Sequence, residues 1–322
     1  MDKKLLLTFD YELFLGNKSG TVDNCLIIPT DMLLNVMERN GAKAIFFVDT
    51  AYIMRMEDLK DKYANVRNDL LKIKQQLQTI LAKGHRLYHH IHPHWIDAKY
   101  DEKENQWDLS DYTHYCVESL SDEKKKQLFD FSVSFLSELI SSAEVNYTCC
   151  GYRAGGLLVE PFAKIKEVFD RSGICEDYSV DAPIENMTES YCFNESTLHP
   201  LAEGKYTEFP ISRIRIYGLR KIMNGIHYRL TKRNQKYKKI GDGCPSNRQN
   251  SDKKPTARKL EFSLPISIEL LTPVLLPYYK KLLRRYSYIH FLSHPKLQSL
   301  ATIKLMDKFL KWCKKNGVVT AV

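Results

Sequence analysis

The stretch GHRLYHHIHPHW, residues 84–95, follows a long amphipathic run and begins at a glycine that predicts a helix end. Its first half is aromatic and apolar, which predicts a strand, and its proline predicts a turn. Five of the ten histidines of the chain lie within it, at 85, 89, 90, 92 and 94, and the last four fall within six residues. We therefore expect a strand that delivers imidazoles to the loop at its carboxyl end.

These histidines predict a divalent metal site. His90, His92 and His94 have one parity, so an extended chain points them the same way, whereas a turn begun at the proline brings 90 and 94 together. Two neutral imidazoles, a carboxylate and one open position form the usual catalytic zinc set. His89 has the opposite parity, and we expect it to pack in the core or against a helix.

Outward from this stretch, strand-like and helical patterns alternate along the chain. The strand patterns cover 5–9, 44–48, 86–90, 147–152, 174–178, 213–217, 286–292 and 318–321. The helical patterns cover 31–40, 66–83, 121–142, 161–172, 266–285 and 300–316. The alternation predicts an α/β fold of parallel strands and right-handed crossovers, in a barrel or an open sheet, with chemistry at the carboxyl ends of the strands.

One segment, 228–259, breaks this pattern with eleven Lys and Arg and two Asp, a local balance of 11 − 2 = +9 that equals the net charge of the whole chain. We predict a single domain, 1–322, with a basic, flexible insertion here. The insertion is either a solvated excursion or a contact for anionic glycan, lipid headgroups or nucleotide. Aromatic residues are too sparse in it for a nucleic-acid stacking platform.

The ends of other predicted strands also carry polar groups. In TFDYE, Asp10 and Glu12 share one side and Tyr11 faces the other. In GYRAGG, Arg153 can hold a carboxylate, and the glycines permit close backbone approach to a ligand. His294 follows another strand, in HFLSHP, as a candidate proton carrier.

The expected location is the cytoplasm. The eight cysteines have no CxxC spacing, the first apolar run is too short for a secretory signal, and no run of about 18 apolar residues occurs. The basic insertion suggests a peripheral contact with a membrane.

Six segments follow one another along the chain: LLTFDYE, GAKAIFFVDT, GHRLYHHIHPHW, YRAGG, DYSVDAP and SHP. In this order they are similar to the motifs of the polysaccharide deacetylases, the NodB-like carbohydrate esterases of family 4. The chain resembles a divergent branch of that family with FDYE and HxHP. The resemblance implies a distorted (β/α) barrel that removes an N- or O-linked acetyl group from a sugar or glycan precursor. It also implies a divalent metal ion, with zinc as the first candidate.

The resemblance further implies roles for residues. Asp10 is the catalytic base, Arg153 orients it, and His294 is the general acid. The metal histidines are His90 and His94, with His90 and His92 as the second choice. Tyr11 stands in the place of the metal aspartate of the family, so either Glu12 reaches the metal or a water fills that position. The candidate substrate-binding residues are Tyr11, Trp95, Gly155, Gly156 and Asp177.

Two other functions compete with the deacetylase. In a catalytically inactive carbohydrate-binding relative, the fold persists and Tyr11 marks the lost metal ligand. A glycoside hydrolase could use Asp10 and Glu12 as its pair of carboxyl groups, but it leaves the histidine cluster unexplained.

Overall fold

The computed structural model describes residues 3–159, 162–180, 201–244 and 261–322. The strands are β1 (Lys3–Tyr11), β2 (Ile45–Asp49), β3 (Arg86–Ile91), β4 (Lys99–Asp101), β5 (Gln106–Asp108), β6 (Gly151–Ala154), β7 (Glu176–Asp177), β8 (Leu201–Glu203), β9 (Tyr206–Glu208), β10 (Arg213–Tyr217), β11 (Glu261–Pro265), β12 (Tyr288–Ser293) and β13 (Val318–Ala321). The helices are α1 (Ile28–Asn40), α2 (Thr50–Leu59), α3 (Ala64–Ala82), α4 (Asp122–Ser142), α5 (Lys166–Ser172), α6 (Gly218–Thr231), α7 (Leu276–Arg285) and α8 (Leu300–Lys315).

The main sheet has the order β12-β1-β2-β3-β6-β7-β9-β8, and β13 pairs with the first residues of β1. All of its pairs are parallel except β8 with β9. Strand and helix alternate through most of the chain, so the predicted α/β organisation is confirmed. The carboxyl ends of β1, β3, β6 and β12 consequently meet at one end of the sheet, where chemistry is expected in such folds.

The sheet curls, and its two faces bury different side chains. The outer face packs against the helices in a large apolar core. The inner face closes on a smaller, mainly aromatic cluster of Leu6, Ile45, Phe47, Tyr88, Tyr178 and Tyr288. A side chain at residue 151 of β6 is excluded because its Cβ would lie 2.1 Å from the Tyr88 ring, so the glycine lets this ring fill the interior.

Helix ends follow the sequence closely. Gly41 ends α1 in the left-handed region at φ 66°, as a glycine at this position predicts. Ser121 caps α4 by accepting a hydrogen bond from the Lys124 backbone N–H, and Ser299 and Thr302 form a capping box at α8. None of the helices in the described part of the chain is long and apolar enough to cross a bilayer.

Two local predictions were wrong. Residues 147–150 precede β6 without joining it, and 266–275 are not helical, so the predicted helix 266–285 is restricted to α7. The strand at 213–217 forms as predicted, but it pairs antiparallel with β11 in a separate two-stranded sheet.

The predicted basic insertion is described as far as Cys244, and residues 245–260 lie outside the described residues. Its described end is hydrogen-bonded to the domain: the Ile240 N–H donates to Gln298 O at 2.7 Å, and the Cys244 N–H donates to Lys18 O at 2.9 Å. Between them, Asp242 accepts from the Thr21 N–H at 2.8 Å. These contacts hold residues 240–244 beside the loops that follow β1 and β12.

Candidate active site

The site is built by the carboxyl ends of four strands. β1 brings Asp10 and Glu12, β3 brings His90 and His92, β6 brings Arg153, and β12 is followed by His294. Regular alternation through β1 points Asp10 and Glu12 inward and Tyr11 outward to α3, where its hydroxyl donates to Gln76 Oε1 at 2.8 Å. The predicted sharing of one face by the two carboxylates is therefore present in the structure.

Glu12 lies at the centre of the site. Its Oε2 is 2.6 Å from His92 Nε2 and 3.2 Å from His90 Nε2, and its Oε1 accepts from Lys296 Nζ at 2.8 Å. Glu12, His90 and His92 each offer a ligand atom, and these atoms lie within 4.8 Å of one another. Burial would raise the pKa of Glu12, but Lys296 and the two histidines outweigh it and hold the pKa well below its usual range.

His90 is oriented by the backbone. Its Nδ1–H donates to Arg153 O at 2.7 Å, which directs Nε2 toward Glu12. A metal-binding histidine typically donates its other N–H to a carbonyl or carboxylate in this way. The arrangement fixes the tautomer that a metal ligand needs.

His92 is the second histidine of the group. The backbone is still extended at this residue, at φ −105° and ψ 97°, and its N–H donates to Asp49 Oδ1 at 3.3 Å. Gly155 leaves room for the ring, since a Cβ there would lie 2.7 Å from His92 Nδ1. This Nδ1 is buried without a hydrogen-bond partner in the described structure.

His94 lies outside this group of ligand atoms, so the geometry favours the second-choice pair, His90 and His92, over His90 and His94. A short 3-10 helix, Pro93–Asp97, begins only after His92, and its turn carries the 94 side chain away from Glu12. The His94 ring stacks on Tyr115, with centroids 5.7 Å apart. His89 faces the helices as its parity predicts, with Nδ1 2.8 Å from Ser132 Oγ of α4.

Asp10 is held by Arg153, whose Nη1 donates to Asp10 Oδ1. The guanidinium also donates to Tyr178 O at 3.1 Å and to Thr8 Oγ1 at 2.8 Å. Its remaining contact is with His290 Nε2, at 2.8 Å. A planar donor group held at several points is pre-organised, so Arg153 can fix the orientation of Asp10.

His290 accepts this hydrogen bond as a neutral ring. Burial, followed by the Arg153 charge, holds the pKa of His290 well below its ordinary value, and its Nδ1–H donates to Phe209 O at 3.0 Å. A protonated His290 would place two cations against each other.

His294 reaches the site from the loop after β12. Its Nε2 lies 3.7 Å from Asp10 Oδ2 and 3.5 Å from Glu12 Oε1, while its Nδ1 is 3.0 Å from Glu269 Oε1. Burial would lower the pKa of His294, but Glu269, Asp10 and Glu12 together raise it above the ordinary value. Its side chain is 20% exposed, so the protonated ring is available to a ligand that enters from solvent.

Three of the predicted substrate-binding residues lie away from this group. Tyr11 faces α3, and Trp95 is buried with its Nε1–H donating to Asp49 Oδ2 at 2.6 Å. Asp177 accepts from Ser179 Oγ at 2.7 Å and lies beside Tyr152 of β6, which packs against the helices. Gly155 lies against His92, and Gly156 is exposed beside it at φ 64°.

Sequence reasoning missed four residues of this site: Thr8, Glu269, His290 and Lys296. Thr8 and His290 lie two and four positions before residues that were singled out, and strand alternation could have found both. Lys296 lies two residues after His294. Glu269 lies in a segment that the pattern assigned to a helix, so no signal in the sequence pointed to it.

The residues present fit a divalent metal ion. A carboxylate and two imidazole nitrogens converge in a buried site, and a backbone carbonyl orients one of the rings, as zinc-type sites require. A second set of ligand atoms, from Asp10, Glu12 and His294, also lies within 4.8 Å and shares Glu12 with the first.

The fold is a curled, mostly parallel sheet flanked by helices, with the polar groups of the site at the carboxyl ends of its strands. No family model and no curated protein matches the sequence. Among solved structures, the chain is similar to a protein of Mycobacterium smegmatis provisionally described as a polysaccharide deacetylase, with a TM-score of 0.50, 12% identity, and coverage of 99% of this chain and 87% of that one. This likeness confirms, at the level of the fold, the NodB-type barrel that the motifs imply.

Two further structures are similar at lower scores. One is a family 4 carbohydrate esterase from Streptomyces lividans, with a TM-score of 0.39, 12% identity, and coverage of 99% of this chain and 92% of that one. The other is the catalytic domain of a peptidoglycan N-acetylglucosamine deacetylase from Eubacterium rectale, with a TM-score of 0.35, 11% identity, and coverage of 100% and 90%.

Proposed function

We propose that the protein is a metal-dependent hydrolase that removes an acetyl group from a sugar or glycan precursor. The observation that carries this proposal is the convergence on Glu12 of His90 and His92, beside an Arg153–Asp10 pair and a Glu269–His294 pair. A metal site flanked by one base and one acid is the combination that hydrolysis of an acyl group needs.

Glu12, His90 and His92 would hold the ion, with zinc as the first candidate for this donor set. When bound, such an ion polarises a carbonyl and activates water for attack. Lys296 neutralises the second oxygen of Glu12, so that this carboxylate would bind through Oε2 alone. His90 stays correctly oriented because Arg153 O holds its other nitrogen.

Asp10 is suited to the role of base. Its Oδ1 is bound by Arg153, which leaves Oδ2 on the side of His294 to accept a proton from water. The surroundings of Arg153 keep the guanidinium fixed, so Asp10 is aligned before substrate arrives. His294 is suited to the role of acid, because Glu269 stabilises the protonated ring that would supply a proton to the leaving amine or alcohol.

The competing functions are less well supported by the contacts of Glu12. A sugar-binding relative without a metal would not need a carboxylate beside the histidines, but Glu12 supplies one. A glycoside hydrolase needs one carboxyl group that stays protonated, whereas the low pKa of Glu12 keeps that group ionised. Asp10 is already ion-paired with the Arg153 guanidinium.

We further propose an acetylated precursor made in the cytoplasm as the substrate class. The likeness of the fold to deacetylase structures supports a carbohydrate substrate. The chemistry of the site is suited to N-acetyl and O-acetyl groups alike. A panel of both kinds of substrate is therefore needed to separate them.

The test combines metal analysis with acetate release. Protein purified without added zinc is expected to retain about one divalent ion per chain and to release acetate from N- or O-acetylated sugar oligomers, with chelator abolishing the reaction. Asp10→Asn should lower the rate by about 10² to 10⁴-fold and keep the metal, because it removes a general base that is not a ligand. Asp177→Asn is the matched control, since this buried carboxylate lies outside the site.

Metal-free protein that binds glycans without releasing acetate would refute the proposed deacetylase activity and would support the function of a catalytically inactive carbohydrate-binding protein. Cleavage of glycosidic bonds in the presence of chelator would support the hydrolase. Loss of metal together with activity in Asp10→Asn would show that Asp10 is a ligand.

A further inference from the structure

The helix α6 exposes an apolar face that the rest of the described protein leaves uncovered. None of its side chains is buried. Leu219, Ile222, Met223, Ile226 and Leu230 are between 47% and 78% exposed. Single exposed apolar residues are ordinary, but five on one helix form a patch of the kind that marks an interaction surface.

These five residues form one continuous stripe, which we call the α6 stripe. They occupy positions i, i+3, i+4, i+7 and i+11, and at 100° per residue they fall within about 100° of the helix circumference. An amphipathic helix of a globular protein normally turns such a stripe toward the core, so its exposure calls for another partner.

The helix rests on the domain through its polar side instead. The Arg220 guanidinium lies 3.8 Å from the centre of the Tyr278 ring of α7. Asn224 Oδ1 accepts from Thr272 Oγ1 at 2.8 Å. Both residues lie to one side of the stripe, so α6 is fixed with its apolar residues directed outward.

The charged residues of the chain segment that contains the stripe are all basic. Residues 209–241 contain ten Lys and Arg, at 213, 215, 220, 221, 229, 232, 233, 236, 238 and 239, and contain neither Asp nor Glu. Arg220 and Arg229 flank the stripe on its two sides. Two copies of α6 packed stripe to stripe would bring these cations together, so electrostatics oppose a symmetric dimer through this helix.

We propose that α6 is a membrane-surface helix that lies in the interface of an anionic lipid bilayer, with the α6 stripe buried among the acyl chains and the flanking basic residues at the headgroups. A basic amphipathic helix with an unpartnered apolar face has the properties of such helices. This surface is separate from the site at the strand ends. It therefore places the protein at a membrane whether or not the proposed hydrolysis is correct.

The contact between α6 and Thr272 connects the proposed membrane surface to the candidate active site. Asn224 of α6 is bonded to Thr272, which is three residues after Glu269, the partner of His294. Three residues of extended chain span at most about 11 Å, so membrane binding through α6 holds this wall of the site near the lipid surface. An acetylated sugar attached to a lipid would meet the site in that position.

Flotation of the full chain with vesicles tests the proposal. The protein is expected to float with vesicles of phosphatidylcholine that contain 30 mole per cent phosphatidylglycerol, about tenfold or more strongly than with phosphatidylcholine alone, and less strongly as salt is raised. Ile222→Gln with Ile226→Gln should lower the partition coefficient by about tenfold or more, because it removes two inserted side chains. Arg229→Gln should lower it by about fivefold.

Tyr228→Ser is the matched control, because Tyr228 is 67% exposed and lies half a turn of the helix away from the stripe. It should bind vesicles like the unaltered protein. Circular dichroism and size-exclusion chromatography of each variant check folding and association, and all the altered positions are exposed, so the fold is expected to persist.

Failure of the unaltered protein to float with anionic vesicles would overturn the proposal. Equal binding by the Ile222/Ile226 variant would overturn it too. Charge alone would then account for the attraction, and any anionic polymer could bind the protein in the same way. A dimer of the unaltered chain that the same variant dissociates would show the stripe to be a subunit interface instead.

Discussion

Replacing Lys296 by methionine tests the electrostatic balance of the site. The ammonium of Lys296 is 2.8 Å from Glu12 Oε1 and donates to Leu13 O at 2.6 Å, and the residue is 6% exposed. At an effective dielectric constant of about 20, two unit charges at this distance attract by about 6 kcal/mol. Part of this attraction offsets the cost of burying both charges, so we expect Lys296→Met to lower the free energy of unfolding of the metal-free protein by about 3–5 kcal/mol.

The measurement is urea denaturation in the presence of chelator, repeated with zinc. Zinc should raise the free energy of unfolding more for Lys296→Met than for the unaltered protein, because the ion then meets Glu12 without a neighbouring ammonium. Lys311→Met is the matched control: this lysine also lies 2.8 Å from a carboxylate, that of Asp307, but is 63% exposed, so at most about 1 kcal/mol is expected. A loss below about 1 kcal/mol for Lys296→Met, or equal stabilisation of both proteins by zinc, would refute the reasoning.

Further predictions concern the metal ligands and the acid stability. Gly155→Ala should weaken zinc binding by about tenfold or more in a chelator competition, because its Cβ would lie 2.7 Å from His92 Nδ1; unchanged affinity would contradict the role of this glycine. His92→Ala should lose zinc in metal analysis and His94→Ala should keep it, and the reverse result would restore the pair of His90 and His94. Burial lowers the pKa of His85 and His89 from 6.5 to about 4, so the unfolded chain takes up protons first as the pH falls. The contribution of these two histidines to the free energy of unfolding should be complete above about pH 6.5, and about 3 kcal/mol per histidine should be lost by about pH 4. A flat pH profile of the free energy of unfolding from urea denaturation would contradict this.

Much of the framework could be predicted because strand alternation is a strong local rule. The inward direction of Asp10 and Glu12, and the outward direction of Tyr11 and His89, follow from parity in regular strands. The alternation of strands with helices was equally informative, and it required no knowledge of side-chain contacts. Strand parity and the order of strands and helices can both be recognised in short stretches of chain, because one buried face imposes their hydrophobic pattern.

The choice between His92 and His94 could not be made in this way. It depends on whether the chain leaves the extended conformation before or after residue 92, and a proline at 93 is compatible with both. The structure begins its turn at Pro93, so His92 keeps the direction of the strand. A boundary shift of one or two residues, the usual uncertainty of sequence-based assignment, was enough to exchange one ligand for another.

Glu269 and α6 were missed for a different reason. A helix was predicted over 266–285, but residues 266–275 form a non-helical segment that carries Glu269 to His294. Residues 218–227 were assigned to no element, and the basic insertion was predicted to begin at 228, which lies within α6. Both features become recognisable only when the partner of each side chain is known.

The FDYE sequence of β1 explains how a metal site can exist without an aspartate at position 11. The strand stays regular through Tyr11, so a carboxylate at that position would face α3 and could not reach the histidines. Glu12 is one residue farther along and one methylene longer than aspartate, and its Oε2 meets both rings. Lys296 occupies its other oxygen, so the pair contributes a net charge of −1 + 1 = 0 beside the two histidines. The proposed ligand is thus moved by one position and its charge is balanced from the loop after β12, which is why the two changes must be tested together.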